Sequence, residues 1–168
     1  ISSSYLNTDG VLNSQFLRHK SHISQEFSGM KIYFKDEHEN NLFYRNNSDT
    51  LTSATYRFYD YEAGIGTADT TSKSITIYYR ERSDWKPMND QLSDAAKADQ
   101  YGATVGLRGK KDSRLNINVS NRRLRISNPE LISQQPENTL LTRIEYSFKL
   151  KNGFIQNTTF YEIGAGQE

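Results

Sequence analysis

The sequence predicts an all-β, antiparallel fold of about eight strands, as a two-sheet sandwich or a strongly curved sheet. A segment of an outer-membrane β-barrel is the alternative. Three observations lead there. Apolar and polar residues alternate with a period of two through most of the chain. Tyr, Phe, Ile and Thr, which suit half-buried pleated surfaces, dominate those runs. Helix-period patterning is nearly absent. The whole span, 1–168, reads as a single β domain excised from a longer chain.

The elements follow in order. Met30, Ile32 and Phe34 make one same-face set, and Asn41–Arg45 reads as a separate short strand. Tyr56 and Phe58 mark the next strand. Ser74–Arg82 sends Ile75, Ile77 and Tyr79 to one side, and Tyr101–Arg108 does so with Tyr101, Ala103, Val105 and Leu107. Arg114–Val119 presents Leu115, Ile117 and Val119. In Leu141–Leu150, Ile144, Tyr146, Phe148 and Leu150 alternate with Arg143, Glu145, Ser147 and Lys149. Phe154–Ile163 closes the series. Each such strand has one wet face, which predicts a domain that stays soluble in buffer without detergent.

The connections carry turn chemistry. Asn152-Gly153 is the strongest hairpin signal, with Asn7–Gly10 and Glu39–Asn41 as further turns. Ser127–Asn138, with Pro129 and Pro136, is too long for a tight turn. Leu124 and Ile126 share the inward side of Val119 only if a β-bulge lies near Asn121–Arg123. Asp90–Gln100 reads as a short helix, capped by Ser93 and carrying Ala95, Ala96 and Ala98. Trp85, in Trp85–Met88, is expected to plug a loop onto the sheet edge.

Composition narrows the function classes. Hydrophobic residues are only 35% of the chain, but a net charge of +1, 11 Tyr and 8 Phe argue for folding rather than disorder. The absence of Cys removes disulfides and thiolate metal sites. No apolar run is long enough for a transmembrane helix, and the start carries neither Met nor a signal-like stretch, as expected of an excised piece. No nucleophile elbow or dinucleotide fingerprint is present, so no enzyme activity and no cofactor are expected. Asp60, Glu62 and Glu145 read as polar sheet residues rather than a carboxylate pair for glycan cleavage. No recognition element for nucleic acid appears.

Three groups of residues merit attention as binding features. Arg108, Lys110, Lys111, Arg114, Arg122, Arg123 and Arg125 form a basic stripe relieved only by Asp112, suited to phosphate, lipopolysaccharide or an acidic glycan. Arg114, Asn116, Asn118, Ser120 and Arg122 share one strand face. Tyr56, Tyr59, Tyr61 and Trp85 could stack on sugar rings, although cross-strand aromatic pairing explains them more simply. The aromatics show no evident girdle along the chain. Asp36-Glu37-His38-Glu39 contains ligand-type side chains, but consecutive strand residues point to opposite faces, so at most two converge. His19 and His22 lack a third ligand at a suggestive spacing, and no metal is expected.

The last third has a recognisable texture. The segments LRISNP (124–129), PENTLLTRIEY (136–146) and NTTFYEIGAGQE (157–168) resemble a stretch of very large uncharacterised cell-envelope proteins of Bacteroidota. In those proteins a "PENTLL-RIEY" strand precedes a "TFYEIG-GQE" strand and the chain runs on. The resemblance covers Leu124–Glu168 and transfers no active site. It implies a cell-envelope location and a cut at Glu168 inside a longer protein. The resulting expectation is a non-catalytic structural or interaction domain, with a carbohydrate-binding module second and a glycan-active enzyme third. Its partners would be the rest of the parent chain or other envelope proteins. Self-association through the weakly guarded strand Phe154–Ile163 is also expected.

Overall fold

The structure is a computed structural model describing residues 2–8, 12–45, 50–67, 72–109, 113–127, 136–150 and 153–165. They form β1 (Ser2–Thr8), β2 (Leu12–Phe27), β3 (Met30–Arg45), β4 (Tyr56–Thr67), β5 (Lys73–Met88), β6 (Gln91–Arg108), β7 (Arg114–Ile126), β8 (Glu137–Leu150) and β9 (Gly153–Ala165). All nine lie in one sheet in chain order, each antiparallel to its predecessor. The fold is all-β and antiparallel, as the alternation implies. Of the two expected arrangements it takes the single sheet. Among the described residues no second sheet faces it, and it is not closed: β1 and β9 are its edges.

The strands are long because the alternation is rarely interrupted. β5 and β6 contain 16 and 18 residues, against a usual ~5–6. Two tight reversals are set by left-handed backbone pairs. β2 turns into β3 at Ser28 and Gly29, with φ of 47° and 76°, and β5 into β6 at Asn89 and Asp90, with φ of 49° and 65°. Positive φ at both central residues matches the right-handed strand twist.

Several expectations are corrected. Asp90–Gln100 is not a helix but turns into the first half of β6. Ala96 pairs with Asp84 and Ile126, and Ala98 with Arg82 and Leu124. Ladder pairing on both sides satisfies the backbone there. It outweighs a helix preference worth less than ~0.7 kcal/mol per residue. Glu39–Asn41 is no turn, since β3 runs through it and absorbs Asn41–Arg45. No bulge interrupts β7 at Asn121–Arg123, because its pairing with β6 is continuous from Arg114 to Ile126. The register shift lies at Asp84/Trp85, opposite β6. Trp85 sits inside β5, paired with Arg57 and Asp94, rather than plugging a loop. β4 pairing ends at Trp85, so Pro87, which has no N–H, costs no ladder bond on that side. The turn at Asn7–Gly10, most of the Ser127–Asn138 loop and Asn152 lie outside the described residues.

Register sorts the side chains into two faces. Ile32, Ile65, Ile77, Ala103 and Val119 form one cross-strand row, and Ile23, Phe34, Ala63, Tyr79 and Tyr101 the next. The expected inward sets of β3, β5, β6, β8 and the first half of β7 do share a side, whereas Tyr56 and Phe58 of β4 and Leu124 and Ile126 of β7 lie on the other. The shared side is not a core. Ile77 is 61% exposed, and Leu42 is the sole buried hydrophobic residue among those described. Along β3 and β5 the burial order is inverted: Ile32, Phe34, Ile75 and Ile77 are exposed, whereas Lys31, Tyr33, Tyr78 and Arg80 are partly covered. A lone sheet offers its apolar face nothing to pack on. On the polar face, long side chains lie across their neighbours and cover each other.

Glycines make room for that polar layer. A Cβ on Gly64 would meet the Tyr33 ring at 2.5 Å, and one on Gly102 would meet Ser120 Cβ at 2.6 Å and the Tyr78 ring at 2.8 Å. Each tyrosine thus lies over a cross-strand glycine. Gly102→Ala is expected to displace Tyr78 and destabilise the sheet by about 1–3 kcal/mol, the usual cost of overpacking. A lowered urea midpoint with an unchanged slope checks this.

Candidate functional site

The polar face is a lattice of ion pairs, formed both across and along the strands. Glu37 on β3 receives Arg18 at 2.6 Å and Lys20 at 3.0 Å from β2. On β4, Glu62 accepts from Lys35 at 2.8 Å and from the Tyr33 hydroxyl at 2.9 Å. Asp60 accepts Arg80 Nε at 2.8 Å, and Arg82 bridges to Asp84 at 2.9 Å. Further across, Asn118 donates to Thr104 at 2.7 Å and Gln100 to Ser120 at 2.8 Å. Arg143 meets Glu145, and Arg122 meets Glu162 at 3.2 Å. Register places Arg18, Lys20, Lys35 and Arg80 beside carboxylates of an adjacent strand, while Arg82–Asp84 and Arg143–Glu145 pair along one strand and Arg122 reaches across β8 to Glu162. The Arg18 guanidinium, then Lys20, holds the Glu37 carboxyl below its usual range. Burial and the bond to Glu62 hold the Tyr33 hydroxyl far above its usual value.

This layer borders an open polar hollow of about 600 Å³ reaching from β2 to β8. Tyr33, Lys35, Glu62, Arg80, Asn118 and Arg143 are among its lining residues. The hollow holds charges of both signs, already paired. Asp60, Glu62 and Glu145 lie on this face as polar sheet residues, each bonded to a cation.

The opposite face is an apolar band. From Tyr101 to Leu107 on β6 it runs about 20 Å, and from Ile23 to Phe27 on β2 about 13 Å, at ~3.3 Å per residue; from β2 to β9 it is about 34 Å wide at ~4.8 Å per strand. That is roughly 600 Å² in plan, at the upper end of the ~300–600 Å² of the largest patch on a typical soluble monomer. Apart from Lys73, set opposite Leu107 at one end, charge on this face gathers at the other margin. Beyond Tyr79 and Tyr101 come Glu81, Asp99 and Arg123, then Lys97 and Arg125. Lys97 meets Glu81 at 2.5 Å, and Arg125 meets Asp99. Aromatic rings gather at the same margin: Tyr59 stacks on Tyr61 at 6.3 Å and meets Trp85 edge-on at 5.1 Å.

The residues singled out in the sequence are therefore redistributed. Arg114, Asn116, Asn118, Ser120 and Arg122 do share the polar face. Arg123 and Arg125 fall on the apolar face, and Arg108 pairs with Arg114 at the far end of the sheet. Lys110 and Lys111 lie outside the described residues. The stripe is not one surface, because consecutive strand residues alternate sides and Arg122 and Arg125 already have acidic partners. Tyr59, Tyr61 and Trp85 form one cluster, while Tyr56 lies on the other face, donating to Glu39. The β4–β5 register brings Trp85 to Tyr59 and Tyr61, which lie 24 or more residues away along the chain. The acidic tetrad splits as expected, Asp36 and His38 to one side and Glu37 and Glu39 to the other. What the spacing missed is His19, set directly opposite His38 by the β2–β3 register.

No protein-family model matches the chain, and neither a curated protein nor a solved structure is significantly similar to it.

At the charged margin, partial desolvation of the Tyr79 hydroxyl, with hydrogen bonds to Asp99 and Glu81 at 3.1 Å each, pushes its pKa up to about 12. Its contribution to stability is complete below an ordinary tyrosine pKa of ~10 and is lost as pH rises towards 12. Ultraviolet titration should show, besides Tyr33, a late-ionising tyrosinate near that pH that disappears in Tyr79→Phe.

Proposed function

We propose that this chain forms part of the wall of an outer-membrane-type β-barrel in a bacterial cell envelope, a non-catalytic structural role. Its apolar face lies against lipid and its polar face lines the lumen. The inverted burial carries this reading. A water-facing sheet turns its apolar side to a core, whereas here Ile23, Ile77 and Ile163 are all more than 60% exposed and the charged face is the better covered one.

Three further features support it. The strands are a nearest-neighbour meander, the topology of barrel walls. Their 12–18 residues from β2 to β9 exceed the ~9–11 needed to cross a tilted bilayer. The apolar band approaches the ~25 Å height of such walls, and its charged margin carries Tyr59, Tyr61, Tyr79, Tyr101 and Trp85 where an aromatic belt would sit. The edges of β1 and β9 would then take up neighbouring strands, from the rest of the chain, from each other or from a second copy.

The arrangement can be tested by moving charge between faces. Ile77→Arg, on the lipid side, is expected to cost about 2–4 kcal/mol of folding stability in a bilayer, and Thr104→Arg, on the lumen side, far less. Brominated lipid should quench Trp85 at shallow depth. Recovery of the chain as a folded monomer in detergent-free buffer, unquenched by lipid, would overturn the reading. It would return the half-buried Tyr59–Tyr61–Trp85 cluster to the carbohydrate-binding alternative.

A further inference from the structure

We infer that His19, Asp36 and His38 form a divalent transition-metal site, with Zn²⁺ as the cation the donor set fits. The three belong to paired strands. His19 and His38 are direct cross-strand partners, and Asp36 lies two residues before His38 on the same face. Their rings stack with centroids 4.7 Å apart. One donor atom from each residue lies within 4.8 Å of the other two. His19 Nε2 is 3.3 Å and His38 Nδ1 3.6 Å from the same oxygen, Asp36 Oδ2. Donors about 2.0–2.1 Å from a tetrahedral ion stand about 3.4 Å apart, so two of the three ligand edges already have the needed length.

A second observation points the same way. His38 Nδ1 is shut off from solvent and has no hydrogen-bond partner. A buried ring nitrogen left unpaired is costly, and a metal ion would use its lone pair. The carboxylate is held by a neighbour: Ser21 Oγ donates to Asp36 Oδ1, leaving Oδ2 for the cation. Two imidazoles and one carboxylate disfavour Ca²⁺ and Mg²⁺, which take oxygen ligands. Three protein ligands leave a fourth position open to water. The site lies beside Tyr59, whose ring meets His38 edge-on at 5.5 Å, at the charged margin of the apolar face. It requires only the β2–β3 hairpin, so it stands whether or not that face meets lipid.

The test uses the full chain in whichever medium keeps it folded, titrated with Zn²⁺ by calorimetry and with Co²⁺ by visible absorption. One equivalent should bind, and X-ray absorption on the zinc-loaded wild-type chain should report two imidazole nitrogens with oxygen completing the shell. His19→Gln, Asp36→Asn and His38→Gln should each weaken binding by about 100-fold or more. Ser21→Ala should weaken it by about 10-fold, as loss of an outer-shell partner does. His22→Gln, on the opposite face, should leave it unchanged. Failure to bind Zn²⁺ below millimolar concentration would overturn the inference. So would equal losses in His22→Gln and His19→Gln, or an absorption spectrum lacking the two imidazoles. The spectrum is read on the unaltered chain, so a variant that fails to fold does not leave the question open.

Discussion

Everything in this molecule depends on the backbone ladder between consecutive strands. There is no packed core to choose the register, since Leu42 is the sole buried hydrophobic residue among those described. Each strand is aligned by its pairing with the preceding one and by side chains that meet across that pair. A slip of one residue would move every side chain to the other face. The apolar side would then acquire the ion-pair lattice, and His19 would no longer face His38. Tight turns at Ser28-Gly29 and Asn89-Asp90 start two of the ladders in a fixed register.

The polar face reinforces the same alignment. Arg18, Lys20, Lys35 and Arg80 each reach a carboxylate on an adjacent strand. Singly, exposed ion pairs contribute little, about 0–1 kcal/mol. Their arrangement matters more than their sum, because a shifted register would part each of these cations from the carboxylate it reaches. Tyr33 over Gly64 and Tyr78 over Gly102 add a steric key of the same kind. The two faces differ in what they ask of their surroundings: the polar one satisfies itself, whereas the apolar one presents a broad surface that water solvates poorly. The lipid-facing proposal rests on that asymmetry, and the zinc proposal on the register of a single hairpin.

The alternation Ile75, Ile77, Tyr79 was enough to place β5 and the face those residues share, as was Ile144, Tyr146, Phe148 for β8. Strand identity is a local property, written in a two-residue period. The Ala-rich start of β6 was misleading because a run such as Ala95, Ala96 and Ala98 prefers helix when alone, and only pairing on both sides makes it a strand. The supposed bulge in β7 came from assuming that every apolar residue faces one side. Leu124 and Ile126 in fact lie on the polar face, beside Ala98 and Ala96.

By itself the sequence determined that the chain is antiparallel β, that each strand has an apolar and a polar side, and that acidic neighbours such as Asp36 and Glu37 point apart. These follow from the geometry of one extended strand. Only the tertiary structure decided that the apolar sides stay uncovered, that Tyr59, Tyr61 and Trp85 gather at one margin, and that His19 meets His38 and Asp36. Those facts depend on which residues stand opposite each other across neighbouring strands, and on whether anything packs on the sheet. A period of two cannot carry that information, because it repeats identically in every register shifted by two residues.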